Sequence, residues 1–194
     1  EHTHSIIHRR QSTQLIGIQI RLLDEILKSR KGWNGQSDIL SLPGRKVEFG
    51  SCNNVGDEIK YQGRPHDLIG FDEITHFLQH QFQFLIGWKR TTVEGQRCRV
   101  VCTGNPPTTV EGRWVIDYWA PWLDDKHPRP ARAGELRWYT TGPDGRDVEC
   151  QDGRPLEIGG QMVTPLSRTF IPSSVTDNPF LLRTGYEATL QALP

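Results

Sequence analysis

The sequence has no apolar run long enough to cross a membrane as a helix. It also lacks net charge, because 23 Lys and Arg balance 23 Asp and Glu. No global field therefore draws in nucleic acid or an anionic surface, and any polyanion site has to be a local patch. The four cysteines, Cys52, Cys98, Cys102 and Cys150, include no C-x-x-C pair, which argues against a zinc ribbon. Cys98 and Cys102 stand four apart in "RCRVVCTG", a spacing that puts both on one face of a strand. They read as small buried thiols in a reducing compartment. There is no internal repeat and no signal-peptide pattern. The first residue is Glu1, not Met, and "SIIHRR" reads as a strand almost at once, so the expectation is a piece of a longer protein.

What is present is an alternation. The 194 residues suffice for one domain with a sizeable core, or one domain and an appendage. "SIIHRR" (5–10) reads as a short buried strand ending in basic residues. From Gln11 to Arg30, Leu15, Ile18, Leu22 and Ile26 recur at helical spacing, with Leu23 and Leu27 widening the stripe. Ser12 or Thr13 is the expected cap, and "KGWNG" the expected stop. "DILSLPGRKVEFGSC" reads as two strands around a Pro-Gly turn, and "GDEIKYQG" as one helical turn. "DLIGF" (67–71) is a strand, "ITHFLQHQFQFLIGWKR" a helix, and "RCRVVCTGNPP" a buried strand closed by a turn. Strand, helix, strand, helix, strand indicates an α/β sheet, mostly parallel.

Beyond about Pro121 the character changes. "PWLDDKHPRPARAG" is a Pro- and charge-rich loop, and "ELRWYTTGPDGRDVEC" a β-hairpin around "GPDG". "RTFIPSSVTDNPFLL" reads as a strand-like run and a turn, followed by a terminal helix through "GYEATLQAL". The expected division is 1–120 for the core and 121–194 for the loop, hairpin and end of the domain.

The chemistry gathers at "HDLIGFDEITHF", where an apolar strand ends in two carboxylates, Asp72 and Glu73. That is the pattern of a Walker B site. An aspartate at the carboxyl end of a buried strand can hold Mg²⁺ beside nucleotide phosphates, and a neighbouring glutamate can polarise a water. Mg²⁺ with its nucleotide is then the expected positive partner of the pair. About thirty residues on, a second buried strand ends in Thr103, Gly104, Asn105 and Pro106, whose polar groups suit a γ-phosphate or the attacking water. Gly, Asn and Pro also make an ordinary turn.

The order "IIHRR … VEFGSC … KYQGR … DLIGFDEITHF … CTGNPP … GRWV … FIPSSVTDNPFL" resembles the ATPase domain of the large terminase subunit of tailed bacteriophages, almost from end to end. The resemblance implies a P-loop NTPase-like fold of the additional-strand, catalytic-Glu class, with a mostly parallel sheet and a C-terminal β-hairpin appendage. It implies that Asp72 binds the magnesium of Mg·ATP, that Glu73 is catalytic, and that Thr103, Gly104, Asn105 and Pro106 form the coupling motif. It also implies double-stranded DNA, a portal protein and a small terminase subunit as partners. The remaining implications are a homo-oligomeric ring, no membrane, and action in the bacterial host cytoplasm while transiently docked on the procapsid portal.

The departures are specific. G-x-x-x-x-G-K-[ST] occurs nowhere, and the dipeptide "GK" is absent. In the family that Walker A loop and its strand precede the segment matched by "SIIHRR", so the sheet is expected to be incomplete at its N-terminal strand. The stretch alone should hold nucleotide weakly. It should also be marginally stable, with "RVVCT" left as an unpaired edge. A nuclease domain follows the ATPase domain in the family and is not expected here. The family arginine that precedes a glycine ahead of the Walker B aspartate is replaced by Gln62, and Arg64 two positions on is the candidate for its transition-state role. A solvated loop arginine is the plainer account of Arg64. Arg9 and Arg10 end the first strand, at the nucleotide face or in a helix-entry salt bridge.

His76, four after Asp72, reads as a capping or packing residue before a metal ligand. Trp114, Tyr118, Trp119 and Trp122 read as packing aromatics, and "GWKRTT" and "KHPRPAR" as solvated surface. Two other readings stand beside the packaging ATPase. One is a helicase-like ATPase, from the D-E-x-x-H run in "DEITH". The other is a non-catalytic prophage remnant or scaffold.

Overall fold

The computed structural model describes residues 3–192, and the last residues of the expected terminal helix lie outside them. The chain divides into two units, Glu1–Val115 and Ile116–Pro194.

The first unit is built on a six-stranded sheet. Its strands are β1 (Thr3–Arg9), β2 (Trp33–Asn34), β3 (Ile39–Leu42), β4 (Arg45–Ser51), β5 (Leu68–Asp72) and β6 (Arg99–Cys102), in the order β2-β3-β4-β1-β5-β6. The β4–β1, β1–β5 and β5–β6 pairs are parallel, while β2 and β3 join antiparallel at one side. Residues two apart on a strand share a face. Ile6 on β1 and, in register with that strand, Ile69 and Phe71 on β5 lie on one face of the sheet and are each almost wholly buried. Phe71 packs edge-on against Phe77 and Phe82, at ring-centroid distances of 5.2 and 5.1 Å. Trp114 closes this cluster by donating its indole N–H to the Phe77 carbonyl at 2.8 Å. An α/β architecture around a mostly parallel sheet is thus what the alternating pattern encodes.

Four expectations are corrected. The first helix is α1 (Ser12–Ile20), and it passes into a π-helical turn at Arg21–Ile26. The wider turn, marked by Leu27 N–H donating to the Leu22 carbonyl, breaks the 3.6-residue stripe. Leu15 and Leu23 stay buried, whereas Ile26 is exposed. Neither Ser12 nor Thr13 caps α1. Gln11 holds the cap position without a side-chain bond, and Asn53 from the loop after β4 accepts the Ser12 N–H at 2.9 Å.

The long helix expected after Asp72 is instead a 3₁₀ turn (Ile74–His76) followed by α2 (Gln79–Ile86). Phe77 and Leu78 are extended between them, so that Phe77 reaches the core. Strand β6 is less buried than its composition suggests. Among the described residues it pairs only with β5, and Val101 is half exposed on this open edge.

The second unit begins within α3 (Trp114–Tyr118) and continues through α4 (Ala120–Leu123). The expected hairpin is β7 (Arg137–Thr141) with β8 (Asp147–Cys150), antiparallel around Gly142–Gly145. Gly145 adopts φ +78° there, a left-handed conformation that glycine reaches without strain. A third strand, β11 (Leu166–Arg168), pairs with β7, after a small ribbon of β9 (Leu156–Ile158) and β10 (Gln161–Val163). The Arg168 guanidinium lies 3.5 Å from the Tyr118 ring centroid and 4.2 Å from that of Tyr139. Trp119 donates to the Thr169 carbonyl and Trp122 to that of Arg132, so both indoles are packing groups as expected. Short helices α5 (Pro179–Arg183) and α6 (Tyr186–Gln191) end the unit. No helix among the described residues is long and apolar enough to cross a membrane.

Candidate active site

Parallel strands bring their carboxyl ends to one side of a sheet, and here three of them end together. Arg9, the last residue of β1, is in register with Asp72, the last residue of β5, while Phe71 is in register with Cys102, the last residue of β6. Thr103 follows directly. Its N–H donates to the Phe71 carbonyl at 2.9 Å, and its carbonyl accepts from Ile74 N–H at 2.8 Å. The Thr103 hydroxyl then donates to Asp72 Oδ1 at 2.9 Å. The other carboxylate oxygen, Oδ2, accepts from Arg9 Nη1, and Arg9 Nε is itself tied to Gln14 Oε1 at 3.1 Å.

A positive partner for the doubled carboxylates is therefore present within the chain: Arg9 meets Asp72. The sequence places a basic residue at the end of the first strand, but only the parallel register shows which acid it faces. Among the described residues, no hydrogen bond or ion pair engages the Glu73 carboxylate.

Glu73 has φ 56° and ψ 61°, a left-handed conformation that costs a residue other than glycine about 1–3 kcal/mol. Several contacts hold it there. His76 N–H donates to the Glu73 carbonyl at 2.9 Å, and Thr75 Oγ1 donates to the Asn105 carbonyl at 3.3 Å. At Gly104 a Cβ would lie 3.2 Å from Ile74 N and 3.6 Å from Glu73 Cα. At Gly112, in a 3₁₀ turn (Val110–Gly112), a Cβ would come within 2.3 Å of the Thr75 carbonyl oxygen. The two segments "DEITH" and "TGN" are thus packed backbone to backbone. Thr103, Gly104, Asn105 and Pro106 are all exposed around them.

The other candidates lie elsewhere. Arg64 bonds to Glu48 Oε2, and its guanidinium stands 5.5 Å from the Tyr61 ring centroid. Glu48 is in register with Ile6, three residues back from Arg9. The arginine at Asp72 is Arg9 and not Arg64. Arg10 points its Nη1 at the Cys52 carbonyl and at Gln81, which is fully buried. His76 is exposed in its 3₁₀ turn, neither buried in packing nor joined to Asp72.

The donor set is informative. The carboxylate of Asp72 and the hydroxyl of Thr103 are hard oxygen donors, side by side and partly open to solvent, the kind that suits Mg²⁺. A free glutamate carboxylate next in sequence is the group a hydrolytic water needs.

Comparison with known proteins bears on identity at this point. Residues 3–191 match the family described as terminase large subunit, T4likevirus-type, N-terminal. No curated protein and no solved structure matches the chain. The chain belongs to the large terminase subunit family, in the part described as its N-terminal, T4likevirus-type region.

Proposed function

We propose that the chain is the ATP-hydrolysing part of a phage DNA-packaging motor, coupling hydrolysis to movement of double-stranded DNA into the capsid. The observation that carries this reading is the convergence of Asp72, Glu73 and Thr103 at the carboxyl ends of adjacent parallel strands. Membership of a family that packages phage DNA supplies the setting.

In this reading Asp72 and the Thr103 hydroxyl would hold the Mg²⁺ of Mg·ATP, which would supply positive charge beside the phosphate oxygens. Glu73 orients and polarises a water, accepting its proton. Its backbone is held left-handed by the contacts around it, next to Asp72 in sequence. Arg9 holds Asp72 in the meantime, which keeps a partly buried carboxylate compensated. Thr103, Gly104 and Asn105 are packed against Ile74 and Thr75, so a shift at the glutamate reaches that loop directly. This packing gives the coupling motif its lever. A phosphate-gripping glycine–lysine loop is not among the 194 residues, so that grip has to come from outside them.

The partners proposed are double-stranded DNA, the portal, the small subunit and further copies in a ring, working in the host cytoplasm. The helicase-like and scaffold readings gain no specific observation. The test is calorimetric titration of Mg·ATP into packaging-competent large subunit carrying this chain, wild type and Asp72→Asn. Magnesium-dependent affinity should fall at least tenfold in the variant, on the order of one lost charge contact. Equal affinity, with magnesium still required, would contradict the assignment.

A further inference from the structure

A second cluster of ionisable groups lies away from Asp72 and has no part in the reaction above. Its centre is Glu48 of β4, almost fully buried. The Nε2 of His4, at the start of β1, stands 2.7 Å from Glu48 Oε1. The Nε2 of His66, just ahead of β5, stands 3.4 Å from Oε2. All three donor atoms lie within 4.8 Å of one another. His66 is only 2% exposed, yet among the described residues its Nε2 makes no well-formed hydrogen bond, its near neighbour being the Glu48 carboxylate at 3.4 Å. Native interiors seldom leave such an atom alone, and this one faces a buried carboxylate and a second imidazole.

We propose that His4, Glu48 and His66 form a three-ligand site for a borderline divalent transition ion of the Zn²⁺ class. The chemistry fits. Two neutral imidazoles and one carboxylate are a recurrent zinc set, with a fourth position left for water. Ligands at about 2.0–2.2 Å from a tetrahedral ion stand about 3.3 Å apart; the His66–Glu48 separation of 3.4 Å matches this, and the His4–Glu48 hydrogen bond of 2.7 Å has to open slightly to admit the ion.

Main-chain contacts hold the two histidines in place. The main-chain N–H of His4 donates to both Asp67 carboxylate oxygens at 3.0 Å, and Gln96 in turn bonds to Asp67. His66 is held through its main chain, its N–H donating to the Trp88 carbonyl at 3.1 Å and its own carbonyl accepting from Arg90 at 3.0 Å. Of the three ligands His4 is the one at the surface, where it lines a cavity with Gly44, Arg45 and Lys46. An ion there would join the starts of β1 and β5 to β4.

Two cations compete for the carboxylate. Lys46 Nζ lies 3.0 Å from Glu48 Oε1, and Arg64 bonds to Oε2. Lys46 is half exposed at the rim and can move into solvent, leaving Oε1 for the ion while Arg64 keeps Oε2.

The experiment is Zn²⁺ titrated calorimetrically into the metal-free protein, with Co²⁺ as an optical probe of the ligand set. One ion per chain is expected, with tetrahedral cobalt bands and no thiolate charge-transfer band. His66→Asn should weaken binding at least about a hundredfold. Lys46→Ala should tighten it about tenfold, because a neighbouring positive charge is gone. Tightening is a change that a purely hydrogen-bonded cluster has no reason to give. If His66→Asn does not fold, the Lys46→Ala result decides. No saturable binding, a thiolate band, or an affinity unmoved by Lys46→Ala would each overturn the proposal.

Discussion

His8 offers a quantitative test of how the sheet beneath the candidate active site is held. It is 1% exposed, stacked 5.4 Å from Phe71 and edge-on at 4.7 Å to Tyr61. Among the described residues its Nδ1 has no hydrogen-bond partner. Burial first, then the neighbouring basic side chains of His66, Lys60 and Arg64, push its pKa down from 6.5 to about 3, with Glu48 opposing. The sign follows from the direction: the unfolded chain binds a proton below pH 6.5 that the folded chain refuses. Stability is full above that pH and is lost as pH falls toward 3. From pH 6.5 to pH 5 the loss is about 2 kcal/mol, at about 1.4 kcal/mol per unit.

The perturbation is His8→Leu, which removes the titrating group and the orphaned nitrogen together while keeping similar volume. At pH 7 it should cost no more than about 1.5 kcal/mol. Urea unfolding followed by tryptophan fluorescence at pH 7, 6 and 5 is the assay. The wild type should lose about 2 kcal/mol more than the variant between pH 7 and 5. His4, whose pKa is also lowered by burial, adds a slope of the same sign to both proteins and cancels in the difference. The Glu48 carboxylate adds its loss only at lower pH, because its folded pKa is depressed and its unfolded value is near 4.5. Parallel slopes for wild type and variant would refute the reasoning. His8 pairs with Phe71, one residue before Asp72, so acid should loosen the site's own strands first.

Two more expectations concern the same frame. Gly112→Ala places a Cβ 2.3 Å from the Thr75 carbonyl oxygen, a backbone atom that cannot swing aside, and should cost about 1–3 kcal/mol in urea unfolding. A loss below about 0.3 kcal/mol would show that the turn is free to move. Glu73→Asn should do the opposite, stabilising by about 0.5–1 kcal/mol, since asparagine tolerates φ 56° better than glutamate. Unchanged or reduced stability there would mean that the conformation carries no strain.

Much of this arrangement could be read from residue order, because the signals involved are local. The run "DLIGF" before Asp72, the Pro-Gly turn at Pro43–Gly44 and the "GPDG" hairpin each sit at the place observed. The α1 stripe misled because the π turn at Arg21–Ile26 keeps helical composition while rotating Ile26 outward. Arg9 at Asp72 depends on parallel register between segments 63 residues apart, which no local pattern encodes. The Glu48 cluster escaped for the same reason: His4, Glu48 and His66 belong to three separate segments, and each alone is unremarkable in its local sequence. The short strands β9 and β10 carry too few residues for a periodic signal.

The central claim is that Glu73 activates the water at a magnesium site built on Asp72. Its most direct test is single-turnover ATP hydrolysis by packaging-competent large subunit carrying Glu73→Gln, with nucleotide binding measured on the same preparation. The account expects hydrolysis to fall about 10²–10⁴-fold while Mg·ATP still binds, since the amide keeps the shape and loses the base. Hydrolysis at the wild-type rate with binding intact would contradict it.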